Sequence, residues 1–203
     1  MDYNVNGNRT MSSIIKVDTI QTAAGGVPTA GDLGLNITGT VLQVVNSNFT
    51  NQYSSTVFDT WVDFGLNASV TPVKTNSNWL IMATLHAMHF TTQIDWPPHF
   101  TAYIGSNPAS PVGSTTSNNR PNVHVASFQA IAPGTDAAPY NQSLHVLDST
   151  TNLTAGTATT FAIKAYAGRG SGTWYINRAN TMYNDDISGS NPICSMTVME
   201  IAS

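Results

Sequence analysis

Five histidines, His86, His89, His99, His124 and His145, are the residues of this 203-residue chain best suited to metal or proton chemistry. His86 and His89 stand three apart, which on a strand turns them to opposite faces. No His-x-His pair sets two ligands side by side. Isolated, hydrogen-bonded histidines are therefore expected. The alternative is one histidine per chain meeting its copies at a three-fold axis, where three imidazoles would suit a zinc-type ion. Within a single chain neither a metal nor a cofactor is expected.

The 11 carboxylates include one adjacent pair, Asp185 and Asp186, in "YNDDISGSN". Asn184, Asp186 and Ser188 alternate as calcium ligands do, but the rest of a calcium loop is missing. A solvated turn is expected there. Asp59 and Asp63 fall on one strand face, so they cannot flank a glycosidic bond as a hydrolase pair must. "GRGSG", 168–172, has no lysine and no following helix to make a phosphate loop. No catalytic residue is assigned, and no enzyme is expected.

Two aromatic loops carry more. "QIDWPPHF", 93–100, sets Trp96 beside two prolines that stiffen whatever it presents, with Asp95 and His99 flanking it. "GRGSGTWY" brings Arg169 near Trp174. Rings with a few polar groups suit sugars, whose apolar faces stack while their hydroxyls hydrogen-bond. Stiffness matters because ordering a loose loop costs roughly 1–2 kcal/mol per residue. Asp95, Trp96, His99, Arg169 and Trp174 are thus candidate ligand-binding residues, possible contacts for a host surface glycan. The alternative is that Trp96 and Trp174 close the ends of a β core.

The elements that would hold these loops are strands. Charged residues make up only 9% of the chain, against the usual quarter, and Glu200 is its one glutamate. Long exposed helices draw on Glu, Lys and Arg; a Thr/Ser/Asn surface over a Val/Ile/aromatic interior fits pleated sheet. Strand patterns recur at 57–64, 79–90, 100–104, 122–131, 143–147, 159–166, 174–177 and 193–201, separated by Gly/Pro/Asn/Asp/Ser clusters. In 57–64 Phe58, Val62 and Phe64 share a face. The run 79–90 is apolar on both faces and reads as a strand in mid-sheet, with a helix as the competing reading. The fold expected is all-β, an antiparallel sandwich of jelly-roll type. Its last strand is clamped inside a sheet, with Cys194 as a small buried side chain.

The 7 lysines and arginines are scattered, which argues against nucleic-acid binding. No run approaches the ~18 apolar residues of a membrane helix, so no membrane insertion is expected. "MDYNVNGNRT" lacks the apolar core of a secretory signal, so secretion is not expected. One cysteine leaves no intramolecular disulfide. Ahead of residue 41, the strand-like "SIIKVDTI" gives way to "AAGGVPTAGDLGLN", too rich in Gly and Pro for regular structure. The chain therefore reads as an extended arm, 1–40, and a β domain, 41–203. Ile14, Ile15, Val17 and Ile20 in the arm are too apolar for a solvated tail and too few to form a core. Unpaired strands are an aggregation hazard.

"SSIIKVDTIQTAAGG", "GTVLQVV", "FDTWVDFGLNASVTPVKTNSNWLIMATL" and "TVMEIA" resemble the tail-fibre and virion structural proteins of marine and cyanobacterial bacteriophages. The likeness covers the arm and both ends of the β domain; the middle, with the Trp96 and Arg169 loops, departs from it. It implies a virion component without catalytic residues, usually trimeric, whose arm contacts other copies or other virion proteins. Ile14, Ile15, Val17 and Ile20 would be covered in that way. A head decoration or cement protein is the rival in the same class. A lectin domain or depolymerase is the rival from another.

Overall fold

The computed structural model describes residues 38–90, 98–110, 123–125, 140–168, 173–177 and 192–203. Ile14, Ile15, Val17 and Ile20 lie outside them. The strands are β1 (Val41–Phe49), β2 (Tyr53–Ser55), β3 (Trp61–Val70), β4 (Asn78–Phe90), β5 (His99–Ile104), β6 (Asn107–Pro108), β7 (Tyr140–Asp148), β8 (Thr159–Tyr166), β9 (Thr173–Ile176) and β10 (Cys194–Ile201). The large sheet is ordered β1-β10-β4-β9-β2, with β7 also on β4; the small sheet is β3-β8-β5-β6. All pairings are antiparallel. From β2 to β9 every connection crosses between the sheets, the β5–β6 hairpin excepted. This is an all-β sandwich with the crossing connections of a jelly roll.

Its register simplifies the large sheet. β9 lies along β4 with Ile176 opposite Ala87, and β10 continues from Ser195 opposite Thr84. β1 pairs with β10 up to Phe49, and β2 with β9 from Tyr53. So β9 and β10 are one strand interrupted by residues 178–193, and β1 and β2 are another interrupted after Phe49. Asn177 closes the gap. It is buried at φ 56°, a left-handed geometry that asparagine tolerates. Its N–H donates to the His86 carbonyl (3.0 Å) and its amide to that of Phe49. The Cys194 thiol donates to Asn177 Oδ1 (2.9 Å) and accepts the His86 N–H (3.2 Å). Burial pushes this thiol up to about 11, with the His86 hydrogen bond opposing, so it stays protonated and keeps its donor.

The core lies between the sheets. Trp79, Ile81, Ala83 and Leu85 of β4 meet Phe64, Leu66, Ala68 and Val70 of β3 and Phe161, Ile163 and Ala165 of β8. Trp79 and Phe161 pack at 5.0 Å between ring centroids. The 79–90 run is the expected strand, central between β10 and β7. Its length would allow a helix; what decides is that neighbours bond both edges while alternate residues enter the core. The strand read at 57–64 instead starts at Trp61, because Asp59 at φ 54° turns the chain. It runs on to Val70 through a bulge: Asp63 opposes Lys164 and Asn67 opposes Ala162, four steps against two. Gly65, at φ 102°, carries that bulge and donates to Asp63 Oδ1 (2.9 Å). The even slip preserves the inward alternation. Of the strand read at 122–131, only 123–125 are described, with Val125 bridged to Phe100.

Two buried carboxylates fasten crossing loops to the large sheet. Glu200 of β10 accepts the Val73 and Lys74 N–H groups (both 2.8 Å), the Ser77 hydroxyl (2.7 Å) and the Gln43 amide. Asp148, ending β7, accepts the N–H groups of Ser110 (2.7 Å), Thr150 and Thr151 (both 2.8 Å) and both threonine hydroxyls. Burial alone would raise both pKa values, but these donors outweigh it and hold both carboxyls below their ordinary values. A depressed carboxyl stabilises the fold above its unfolded pKa, about 4. That contribution is lost as pH falls through the folded value. Glu200→Gln is expected to cost about 1.5–3 kcal/mol near neutral pH and to flatten the acid side of the stability profile. Urea unfolding between about pH 3 and 7 checks this; an unchanged acid limb would contradict it.

Candidate ligand-binding face

The outer face of the small sheet gathers aromatic rings. Trp61, Tyr166 and His99 stand opposite one another across β3, β8 and β5. Trp61 packs on Tyr166 at 5.3 Å and on Tyr103 at 5.9 Å between ring centroids. Lys164 Nζ sits 4.1 Å from the Tyr103 ring centroid, a cation–π distance. Ala162 and Thr101 share this face and are buried, while Trp61, Tyr166, Lys164 and His99 are part-exposed. The Tyr166 hydroxyl donates to Asp59 Oδ1 (3.2 Å). Burial, then the Asp59 charge and this hydrogen bond, raise the Tyr166 pKa, so the phenol keeps its proton. Burial lowers that of His99, favouring its neutral ring.

Trp174 positions the approach to this face from behind. Its ring is fully buried, packed on Tyr53 at 5.6 Å, and its indole N–H donates to the Val57 carbonyl (2.8 Å). The Asp59 N–H donates to the Ala167 carbonyl (2.8 Å). The loop before β3 is thereby tied to the core at Val57 and to the end of β8 at Asp59. Among the residues read as ligand-binding, Trp174 is therefore core, the alternative that its sequence context left open. A side chain without solvent exposure cannot meet a ligand; its effect on the face comes through the loop it holds. His99 is on the face. Asp95, Trp96 and Arg169 lie outside the described residues, as do Asp185 and Asp186. Trp61 was not singled out in the sequence, although it has the odd-numbered parity of Asp59 and Asp63, which marks the outer face.

The large sheet differs outside. Val44, Met199, Leu80 and Leu147 are paired in one row across β1, β10, β4 and β7. The next row is Asn46, Thr197, Met82 and His145. Val44 is 50% and Leu147 52% exposed. Among the described residues no three His, Cys, Asp or Glu side chains converge as a metal site. His124 is engaged locally, with Nδ1 accepting the Ala102 N–H (3.2 Å) and Nε2 against the Ala109 carbonyl (3.1 Å).

No family model matches the sequence, and no curated protein matches it. Among solved structures it is similar to VP2 in the crystal structure of the infectious bursal disease virus VP2 subviral particle, at 15% identity and a TM-score of 0.30. The match covers 79% of this chain and 38% of that one. A likeness this distant carries nothing about function.

The role of Trp174 as a post is checked against Trp79, whose buried indole N–H has no acceptor among the described residues. Both lose similar volume on change to phenylalanine, but only Trp174→Phe strips a partner from a carbonyl. Chemical denaturation is expected to find Trp174→Phe less stable than Trp79→Phe by about 1 kcal/mol. Equal losses would mean that the Val57 hydrogen bond contributes nothing.

Proposed function

We propose that this chain is a non-enzymatic structural component of a bacteriophage virion. In this reading it is a trimeric tail-fibre or fibre-like protein that attaches through its N-terminal arm and meets the host surface through its β domain. The observation that carries self-association is the apolar row Val44–Met199–Leu80–Leu147. The outer face of an antiparallel sheet ordinarily alternates to polar residues; an apolar row spanning the sheet fits a face covered by further copies of the chain. The bacteriophage setting comes from the resemblance of the arm and of both ends of the β domain, and extends to that setting alone.

The test separates the two halves. Full-length protein is expected to scatter light as a trimer at micromolar concentration, and Leu147→Asp to shift it to monomer without loss of fold. Leu147 is half exposed, so the substitution spares the core. A wild-type monomer would contradict the oligomer. Deleting residues 1–36 keeps Gly39 and Thr40, whose backbone groups bond Ala202 on both sides (2.7 and 2.8 Å). That variant is expected to fold and to be missing from assembled particles; normal incorporation would contradict attachment through the arm.

A further inference from the structure

We propose that the outer face of the small sheet binds a neutral hexopyranose unit of a surface glycan. Trp61 would be the stacking surface, with the Tyr166 ring set at 53° to it as a side wall and Asp59 and Lys164 as hydrogen-bonding groups at the margin. The two outer faces differ in kind. The large sheet exposes aliphatic side chains in one row, as contact with another protein surface requires. The small sheet exposes rings, and its charged groups stand among them. Ring faces carry negative charge density, which attracts the weakly positive C–H groups on the apolar side of a pyranose, while the sugar hydroxyls need donors and acceptors at the rim.

The rim is preorganised. Asp59 is held at φ 54° by its N–H bond to Ala167, and a residue kept in that region points to a site where geometry matters. Tyr166 occupies one oxygen of its carboxylate; among the described residues the other has no donor and can accept a sugar hydroxyl. The Lys164 ammonium over Tyr103 supplies donors. Among the described residues of this face, Asp59 and Asp63 against Lys164 leave one negative charge, which disfavours sialylated or uronic-acid glycans and favours neutral ones. This inference rests on the reading of the β domain as the host-contacting part. Its failure leaves oligomer mass and particle incorporation untouched, so the two fail separately.

The experiment applies full-length protein to an array of immobilised glucose-, galactose- and mannose-based glycans, with sialylated and uronic-acid glycans alongside. The best neutral ligand is then titrated while tryptophan fluorescence is followed. Wild type is expected to retain a neutral glycan and to change its emission on binding. Trp61→Ala should bind about tenfold more weakly or worse, and Val73→Ser, half exposed in the loop between β3 and β4, should bind as wild type does. Asp59→Gly, which suits the left-handed backbone, guards against Trp61→Ala failing to fold and should also lose several-fold affinity. Binding to acidic glycans alone, to no glycan at all, or with undiminished affinity in whichever of the two variants folds would overturn the proposal.

Discussion

A buried backbone N–H or C=O has to be hydrogen-bonded, and in a sandwich wound as this one is, that demand falls on the crossings. The chain leaves one sheet for the other at nearly every connection, and each departure takes backbone groups away from a strand partner. Single side chains of the large sheet meet the need. Glu200 takes the amides between β3 and β4, Asp148 those at Ser110 and after β7, and Trp174 a carbonyl before β3. Asn177 closes the break between β9 and β10. These residues sit in strands, or directly after one, whose alternate side chains form the core. The loops therefore inherit the rigidity of the large sheet. Removing one partner from such a set costs more than the bond contributed, because the remaining groups stay buried and unpaired.

That rigidity is what gives the outer faces fixed chemistry. Trp61 can lie against Tyr166 and Tyr103 because the turn before it is tied at Val57 and Asp59, and because the register sets Tyr166 directly opposite it on β8 with β5 alongside. The large sheet needs no such loop for its outer row. Register alone brings Val44, Met199, Leu80 and Leu147 together, and a slip by one residue would exchange that row for core side chains. The Asn177–Cys194 junction holds this register across the interrupted strand. Fold and surface chemistry are thus set by the same hydrogen bonds.

Much of this was legible in the sequence. Period-two patterns placed most strands, and β8 matches its expected span at both ends. The final strand lies inside a sheet, with Cys194 buried, because its alternation runs unbroken to the chain end. The start of β3 was less legible: alternation continues through 57–60, and only the left-handed Asp59 interrupts the strand. The lone Glu200 was visible as a composition anomaly, but its four donors come from Gln43 and from residues 73–77, so no local pattern could assign them. The aromatic face was illegible for a related reason. Trp61, Tyr103 and Tyr166 become neighbours only through the β3-β8-β5 register, which one sequence does not reveal. Trp174 was half legible: its setting admitted a core ring, and the fold puts it there.

The central claim is that the two outer faces have separate partners, further copies of the chain on the large sheet and a saccharide on the small one. Oxidative footprinting of the assembled full-length protein measures both faces at once, since Met82 and Met199 lie on the first and Trp61 on the second. The account predicts that Met82 and Met199 are protected from oxidation relative to the Leu147→Asp monomer. It also predicts that Trp61 is oxidised readily until a bound neutral glycan shields it. Methionines oxidised equally in wild type and variant, or a Trp61 already shielded in the absence of sugar, would contradict it.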